Sequence, residues 1–523
     1  MPTMNRRSLL QGVAILPFAH LALPAFAAGE GRPDFTIAVA ALPATLEPAR
    51  ELSNVGTRVT YSIFDTLIRR DFLGSPDGGG AELKPHLATS WERKGPSELI
   101  VTLRQGVKFH NGDELTAEDV AYTFREGRLW GEEPQIPGGK PYFGILAGCE
   151  TIDRYSVRFT TKVPDVLLEQ RLASWCAWIV NKRAYEEMGF DAYSLAPVAT
   201  GPYKVVSHSE SEATVLQAFD DYFMGTPSAA TVTFQAVPEL AARVAGLVSG
   251  EFDLITNVPP DQVPVIEGFD DIEVRAVVLA NSHVLVFDNH DPLLADRRIR
   301  RALSLAIDRQ RLVDTLWQGK AVVPASHNYP EYGQMFVEGR SLPFDPDRAR
   351  ALLAEAGYAG QPITYRTLGA YYTNALEAAQ VMIEMWKAVG IDARLQVVET
   401  SAQMRDPAVA QIFNWSNSTR LPDPLGALWI AWGPGGEIQV KDIWASPSRD
   451  AFNAAGRALE AETDPARRRA LFATMLDEWE GEAPGTILYQ PFEAYAIRKD
   501  IGWRPTTFYF MDLRPDNLTF PKV

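Results

Sequence analysis

The sequence predicts an α/β protein of two or three domains. Three observations support this prediction: a length of 523 residues, a composition with 46% hydrophobic and 22% charged residues, and an alternation of strand-like and helix-like segments. The length exceeds that of one ordinary domain, and the composition is typical of a globular protein with sizeable cores. We therefore expect mixed sheets with flanking helices along the whole chain.

The first part of the chain opens with a predicted strand and helix. Residues 35–40 alternate in polarity, and residues 55–67 place apolar side chains on one helical face. The glycine, proline and aspartate cluster at 74–80 predicts a flexible loop. After this loop, residues 87–91 and 99–103 are predicted to pair as strands of a smaller subdomain.

The middle of the chain contains two predicted helices and a strand. Thr116 is a favourable N-cap for a helix that begins at Ala117. Residues 203–206 are strand-like, and a helix over 241–247 is predicted to end at Gly250, where glycine tolerates a left-handed conformation. Breaks between these elements are typical of a chain that crosses between lobes.

The second half of the chain is predicted to form a further lobe that begins near residue 281. Its predicted elements are a strand at 285–287, helices at 298–317, 346–356 and 376–389, and strands at 393–398 and 486–495. Two of these helices are followed by Gly357 and Gly390, a common way for helices to end. The α/β pattern therefore continues to the C-terminus.

The net charge limits the choice of partners. The formal charge is −16 and the isoelectric point is near 5.1. An acidic surface disfavours broad contact with phosphate backbones or anionic lipids. No stretch after the N-terminal segment reaches the roughly 18 apolar residues that a membrane-spanning helix needs. We expect a soluble mature protein with no nucleic-acid partner.

The N-terminal segment predicts export. Paired arginines precede an apolar run over residues 13–26, and small residues at 25–27 suit a signal peptidase that cuts near Ala27. The arginine pair resembles a twin-arginine signal. Pro17 and Pro24 disfavour the alternative of a buried or amphipathic helix. Since no cysteine lies near the cut, we expect a freely diffusing periplasmic protein.

Cysteines, histidines and sequence motifs give little sign of catalysis. Cys149 and Cys176 are the only cysteines. They either form a disulfide, which would stabilise by about 3 kcal/mol, or remain two buried thiols. The histidines lack metal-ligand spacing, and the nucleophile-elbow, zinc-protease, P-loop and dinucleotide motifs are absent from the sequence. The sequence therefore predicts neither an enzyme nor a bound metal or cofactor.

Several segments occur in the order found in a known family. The strongest are residues 87–91, 103–112 and 116–120, which read LATSW, LRQGVKFHNG and TAEDV. Further matches lie at 200–205, 243–253, 298–308 and 344–358. Together they resemble the family 5 extracellular solute-binding proteins, the receptors of peptide and nickel importers. These segments consist mainly of turn glycines and core helices. They therefore indicate the fold and not the identity of the ligand.

The resemblance implies the two-lobed periplasmic binding protein fold of the large three-domain type, with the ligand cleft between the lobes. Mapped onto this chain, it predicts a signal peptide at 1–27, domain I at 28–75, 198–280 and 484–523, domain II at 76–197 and domain III at 281–483. It also implies that a monomer closes around a small ligand and delivers it to the permease and ATPase subunits of an ABC importer.

One segment departs from the family pattern. In peptide-binding members, a Trp followed by an Asp, before an Asp-Pro step, holds the peptide amine. The matching stretch is 414–424, NWSNSTRLPDP. Counting back from Asp423 puts Arg420 at the acidic position, and counting forward from Trp415 puts Ser418 there. Neither alignment supplies the carboxylate.

The departure predicts a ligand other than an ordinary peptide. Arg420 is suited to a bidentate contact with a phosphate or carboxylate, supported by donors from Asn417, Ser418 and Thr419. We therefore expect an anionic or strongly hydroxylated ligand, such as a sugar phosphate or an opine-like conjugate. The alternative is that Arg420 pairs with a nearby acid or faces solvent.

The remaining candidate ligand contacts are Trp415, Trp429, Asn54, Asn281, Ser282 and Tyr372. The two tryptophans are suited to stack on a sugar or peptide plane, or to fill the core. The three polar residues lie near the expected cleft mouth and hinge. The tyrosine lies in a loop before a helix, where Thr373 or Asn374 is also suited to act as the N-cap.

Three other functions remain open at this point. The ligand of the receptor is alternatively an oligopeptide or dipeptide. A secreted hydrolase with a carboxylate pair in its cleft is a function of another class, and a receptor that signals to a sensor instead of a permease is a third. A nickel chelate is disfavoured because no histidines gather near Trp415.

Overall fold

A computed structural model describes residues 31–369, 372–406, 411–445 and 447–521. The predicted signal peptide, residues 1–27, lies outside these ranges. None of the helices within them combines the length and the apolar character needed to cross a bilayer. The same ranges contain no group of three or more metal-ligating side chains suited to hold an ion.

The described residues form eighteen strands and sixteen α-helices. The strands are β1 (Asp34–Val39), β2 (Ile68–Arg70), β3 (Leu83–Pro85), β4 (Ala88–Gly95), β5 (Glu98–Leu103), β6 (Leu146–Asp153), β7 (Ser156–Thr161), β8 (Tyr203–His208), β9 (Ala213–Ala218), β10 (Thr231–Ala236), β11 (Leu254–Ile255), β12 (Ile272–Val278), β13 (Asn281–Phe287), β14 (Ile363–Leu368), β15 (Ala393–Val398), β16 (Ile412–Ser418), β17 (Gly485–Tyr489) and β18 (Phe492–Arg498). The helices are α1 (Asn54–Thr60), α2 (Ala117–Thr123), α3 (Lys140–Phe143), α4 (Leu168–Leu172), α5 (Lys182–Leu195), α6 (Leu240–Ser249), α7 (Val263–Ile266), α8 (Arg297–Leu305), α9 (Arg309–Leu316), α10 (Pro346–Ala356), α11 (Ala375–Ala388), α12 (Ser401–Met404), α13 (Leu428–Trp432), α14 (Glu437–Val440), α15 (Asp450–Ala461) and α16 (Pro465–Glu482).

The first lobe is built on a seven-stranded mixed sheet. Its strand order is β12-β18-β11-β1-β10-β9-β8, in which β1 runs parallel to both neighbours and the other pairs are antiparallel. A separate four-stranded antiparallel sheet, ordered β4-β5-β7-β6, forms the smaller subdomain. One continuous hydrophobic core joins the two sheets, with Phe35 and Ile37 from the first and Leu99 and Val101 from the second.

The second lobe is built on a five-stranded mixed sheet ordered β15-β14-β16-β13-β17. Strand β13, which lies between β16 and β17, is buried along its whole length. Successive side chains of a strand point to opposite faces. Val284 and Val286 accordingly pack in one core, whereas Leu285 and Phe287 pack in another on the other face of the sheet. Helices therefore cover both faces.

Two short crossings join the lobes. Leu279 and Ala280 connect β12 to β13, and Gln490 and Pro491 connect β17 back to β18. The two-lobed α/β architecture predicted from the family resemblance is confirmed.

The helix predicted for 55–67 ends already at Thr60. Two further predicted elements are wrong because each spans a break. The single helix predicted for 298–317 is two helices, because Asp308 caps α9 by accepting a hydrogen bond from the N–H of Arg311 at 3.0 Å. The single strand predicted for 486–495 is divided between two sheets, β17 and β18. Pro491 lies at the crossing, where its missing N–H costs no ladder hydrogen bond.

The crossing at Gln490 and Pro491 affects the predicted boundary between domain III and the last part of domain I. The predicted start of the last part of domain I, residue 484, precedes β17, which pairs with β13 of the second lobe. We propose instead that this boundary lies at Gln490 and Pro491. The other predicted boundaries stay predictions. Cys149 and Cys176 are both free thiols in the structure.

Candidate functional site

A cavity of about 610 Å³ lies between the lobes, and both lobes line it. The first lobe contributes residues 50–54, which lead into α1, together with Pro137, Gly138 and Pro141. The second lobe contributes Tyr372, the end of β16, and parts of the chain from Gly426 to Lys441. The volume is in the range of small-molecule ligand sites.

The cavity lining carries more positive than negative side chains. Its charged residues are Arg50, Arg405, Arg420, Lys441, Glu51 and Glu437. Four cations therefore face two carboxylates, although the whole chain has a formal charge of −16. The lining therefore has a formal excess of two positive charges.

Glu437 forms ion pairs with two cations of its own lobe. The Arg405 Nη1 atom lies 2.8 and 2.9 Å from the two carboxylate oxygens, and Lys441 Nζ lies 2.7 Å from Oε1. Burial alone would raise the pKa of Glu437, but Arg405 and Lys441 lower it below its usual value. Glu437 is thus an ionised carboxylate that holds two cations at the cavity wall.

Arg420 reaches from the second lobe to aromatic residues of the first. Its guanidinium lies 4.7 Å from the ring centre of Trp175 and 5.3 Å from that of Tyr142, and it donates a hydrogen bond to Tyr142 Oη. No carboxylate of the described residues forms an ion pair with it. A guanidinium has five N–H donors, so Arg420 retains donors for a ligand.

The end of β16 places three predicted residues on the cavity wall: Trp415, Asn417 and Ser418. The amide oxygen of Asn417 accepts a hydrogen bond from Trp432 Nε1 at 2.7 Å, which fixes the orientation of the side chain. Ser418 Oγ accepts from Asn281 Nδ2 at 2.8 Å. The hydroxyl hydrogen of Ser418 therefore remains available to a ligand acceptor.

Four predicted contacts lie behind this wall rather than on it: Asn281, Ser282, Thr419 and Trp429. Asn281 acts on the wall only through Ser418, and Ser282 Oγ lies 2.7 Å from Tyr329 Oη. Trp429 packs on Phe452 in the core, with 6.0 Å between ring centres. Direct ligand contact by these four stays a prediction that the cavity geometry does not support.

Tyr372 and Asn54 line the cavity as predicted. Tyr372 Oη donates to Ser416 Oγ at 3.0 Å, and its ring packs 4.6 Å from His283. Burial lowers the pKa of His283 to about 3, so this neighbour is neutral near physiological pH. Asn54 Nδ2 is buried and has no hydrogen-bond partner among the described residues. Tyr371 lies outside the described residues.

The sequence alone did not identify five charged residues of the lining: Arg50, Glu51, Arg405, Glu437 and Lys441. Glu437 and Lys441 carry a recognisable signal, because Glu at i and Lys at i+4 form a favourable helical pair. Arg405 carries none, since it is distant in sequence from its partner.

Comparison with known families identifies the chain. Residues 82–439 match the family model described as bacterial extracellular solute-binding proteins, family 5 Middle. The chain belongs to this family. Its members are solute-binding proteins, and the family is not one of enzymes. The resemblance and the binding role predicted from the sequence are confirmed.

Individual relatives bind different ligands. The chain is 30% identical over 363 residues to the oligopeptide-binding protein AppA of Bacillus subtilis (strain 168), a match that covers 62% of this chain and 63% of that relative. The structure of a dipeptide-binding protein from Pseudoalteromonas sp. SM9913 with Met-Leu superposes with a TM-score of 0.83 at 21% identity, covering 93% of this chain and 100% of the other. The structure of AgaA from A. tumefaciens R10 with agropinic acid superposes with a TM-score of 0.80 at 20% identity. This match covers 93% of this chain and 99% of AgaA.

Proposed function

We propose that this protein is the periplasmic substrate-binding component of an ABC importer for a small anionic, hydroxyl-rich ligand. The ligand classes that fit are a sugar phosphate and an opine-like conjugate. The observation that supports the proposal is the excess of cations around the cavity between the lobes, in which Arg420 has no carboxylate partner among the described residues. Closure of the lobes then carries the ligand to the permease.

The chemistry of β16 argues against an amine at the family's usual position. A buried carboxylate that holds a ligand ammonium gains a charge-assisted hydrogen bond. Ser418 offers a hydroxyl at the forward-counted position, and Arg420 at the other would repel an ammonium. A phosphate or carboxylate there receives donors from Ser418 and Arg420, which both line the cavity.

The import role rests on the family and on the N-terminal segment. The family description is that of extracellular solute-binding proteins, and the predicted signal peptide would deliver the mature chain to the periplasm. The partners of this proposal are the permease and ATPase subunits of the importer, and the receptor acts as a monomer. Neither a metal nor a cofactor enters the proposed mechanism.

Calorimetric titration of the mature protein tests the ligand class. The panel contains sugar phosphates, amino-acid conjugates of sugars, peptides and metal chelates. We expect an anionic ligand to bind the wild type and to bind Arg420→Gln about 10 to 100 times more weakly, because one charge-assisted contact is worth about 1.5–3 kcal/mol. Arg457→Gln is the matched control, since Arg457 is exposed on α15 and does not line the cavity.

A peptide receptor is the second candidate. The similarity to AppA and to a dipeptide-bound structure favours it. In that case peptides bind the wild type tightly, N-acetylation of the peptide weakens binding, and Arg420→Gln leaves peptide affinity unchanged or improves it. That set of results would replace the anionic ligand with the peptide.

A further inference from the structure

Glu51 is a second unmatched charge in the cavity, of opposite sign to Arg420. It lines the cavity from the first lobe, and no cation of the described residues forms an ion pair with it. Its Oε1 accepts a hydrogen bond from the backbone N–H of Ser53 at 2.8 Å. A Cβ at position 56 would lie 1.9 Å from Glu51 Cγ, so Gly56 provides the space that this side chain occupies.

The surroundings of Glu51 differ from those of Glu437. Burial raises the pKa of Glu51, and the nearby charge of Glu210 adds to this, whereas the Ser53 hydrogen bonds and the charge of Arg50 oppose it. Arg50 is exposed, with its guanidinium 5.4 Å from the ring centre of Phe190. Glu437 has two cations in direct contact, and Glu51 has none among the described residues. A buried carboxylate is favourable only when a cation or several donors compensate it.

Two of the unpaired charges, Glu51 and Arg420, stand on different lobes. Glu51 belongs to the first lobe and Arg420 to the second, and the cavity between them is large enough for a drug-sized ligand. We infer that the ligand carries both charges, with a cationic nitrogen held by Glu51 and an acidic group held by Arg420. This inference rests on the proposed function, and of its two ligand classes it selects the opine-like conjugate of an amino acid over the sugar phosphate.

Such a ligand also explains why the charges remain unmatched in the protein itself. Glu51 on one wall of the cleft and Arg420 on the other are both unpaired, so a ligand with two opposite charges satisfies both only when the lobes are close together. The binding energy is therefore realised in the closed form, which is how a ligand shifts a two-state equilibrium. The amine-binding carboxylate that β16 lacks is thus supplied by the opposite lobe.

Two probes that keep both carboxylates and differ at the nitrogen test the inference. The first is an N-hexityl glutamic acid, whose nitrogen is a secondary ammonium, and the second is the ether in which an uncharged oxygen replaces this nitrogen. We expect the wild type to prefer the ammonium probe by about tenfold or more, the value of a hydrogen bond to a charged group. Glu51→Gln, which still accepts from Ser53 N–H, should lose this preference and bind the ether within about twofold of the wild type.

Glu462→Gln is the matched control. Like Glu51, Glu462 accepts backbone N–H groups that follow it in sequence, at 2.8 and 2.9 Å, but it does not line the cavity. It should leave both affinities unchanged. Equal weakening of both probes by Glu51→Gln would assign Glu51 a structural role and overturn the inference. Tighter binding of the ether or of a sugar phosphate by the wild type would also overturn it, with the anionic ligand class retained. Failure of every anionic probe would instead overturn the proposed function.

Discussion

Two groups of charged residues in this protein differ in whether each charge has an ion-pair partner within the protein. In the first lobe, Asp65 is fully buried and accepts hydrogen bonds from Arg514 Nη2 at 2.7 Å and Thr200 Oγ1 at 3.0 Å, with His86 Nε2 at 2.7 Å. Arg514 also contacts Asp512 at 3.0 Å. In the cavity between the lobes, by contrast, Glu51 and Arg420 have no ion-pair partner among the described residues.

The difference teaches which charges serve the fold and which are available to a ligand. Burial alone would raise the pKa of Asp65, but His86 and Arg514 lower it well below its usual range. The fold therefore supplies every interaction that the ionised Asp65 needs. The unmatched charges of the cavity lack this compensation, and a ligand that supplies it gains binding energy.

The largest expected effect comes from a substitution that breaks the buried ion pair between Asp65 and Arg514. Asp65→Asn should lower the free energy of unfolding by about 3–5 kcal/mol, because it leaves a buried Arg514 with one carboxylate partner fewer. Chemical denaturation measures the change. Asp477→Asn is the control, since Asp477 is 69% exposed and its pair with Arg340 should contribute no more than about 1 kcal/mol. Equal losses in both variants would show that burial does not make the Asp65 ion pair more important than an exposed one.

The second effect concerns a buried group without a charged partner. Burial lowers the pKa of His283 to about 3, below the unfolded value of about 6.5. The stability that this neutral histidine contributes is present above pH 6.5 and is lost as pH falls toward 3. His283→Gln should therefore reduce the slope of unfolding free energy against pH by about 1.4 kcal/mol per pH unit in that window. Denaturation series at pH 7, 6, 5 and 4 measure it, and an unchanged slope would show that His283 does not titrate there.

A third variant changes the balance of charge in the cavity. Glu437→Gln removes one of two carboxylates from the lining and frees donors of Arg405 and Lys441. We expect an anionic ligand to bind about tenfold more tightly, as Coulomb's law gives for partly screened charges a few ångströms apart. Calorimetry measures the affinity. Weaker binding would show that Glu437 positions the two cations rather than competes with the ligand.

The smallest expected effect concerns contact between the lobes. Arg171 pairs with Asp165 of the first lobe at 3.0 Å and reaches Glu460 of the second at 3.4 Å. Glu460→Gln should change the free energy of unfolding by less than about 1 kcal/mol, because Arg171 keeps its first partner. Thermal denaturation measures it. A loss of several kcal/mol would mean that this pair, rather than the ligand, holds the cleft closed.

Elements with local signals were predictable from the sequence. Helix α10 begins at Pro346 and is followed by Gly357 in the left-handed conformation, at φ 72°, so both of its ends are determined by nearby residues. The break at Asp308 was missed because the apolar periodicity continues through it. The division at Pro491 was missed because strand propensity does not reveal which sheet a strand joins.

The site was only partly predictable because its residues meet through the tertiary fold. Trp415 and Trp429 are the same residue type in neighbouring segments, so the sequence does not distinguish them. In the structure, β16 places Trp415 on the cavity wall, whereas α13 packs Trp429 in the core. Arg420 was predictable because the family pattern marks its segment. Glu51 was not, since its importance depends on the opposite lobe, 369 positions further along the chain at Arg420.

The position of β18 has a consequence for how the polypeptide matures. This strand lies between β11 and β12 in the first-lobe sheet, yet it follows the whole second lobe in sequence. A nascent chain that has emerged only as far as β17 therefore has β12 without its neighbour in the sheet. The first-lobe sheet can be completed only after the second lobe has been synthesised.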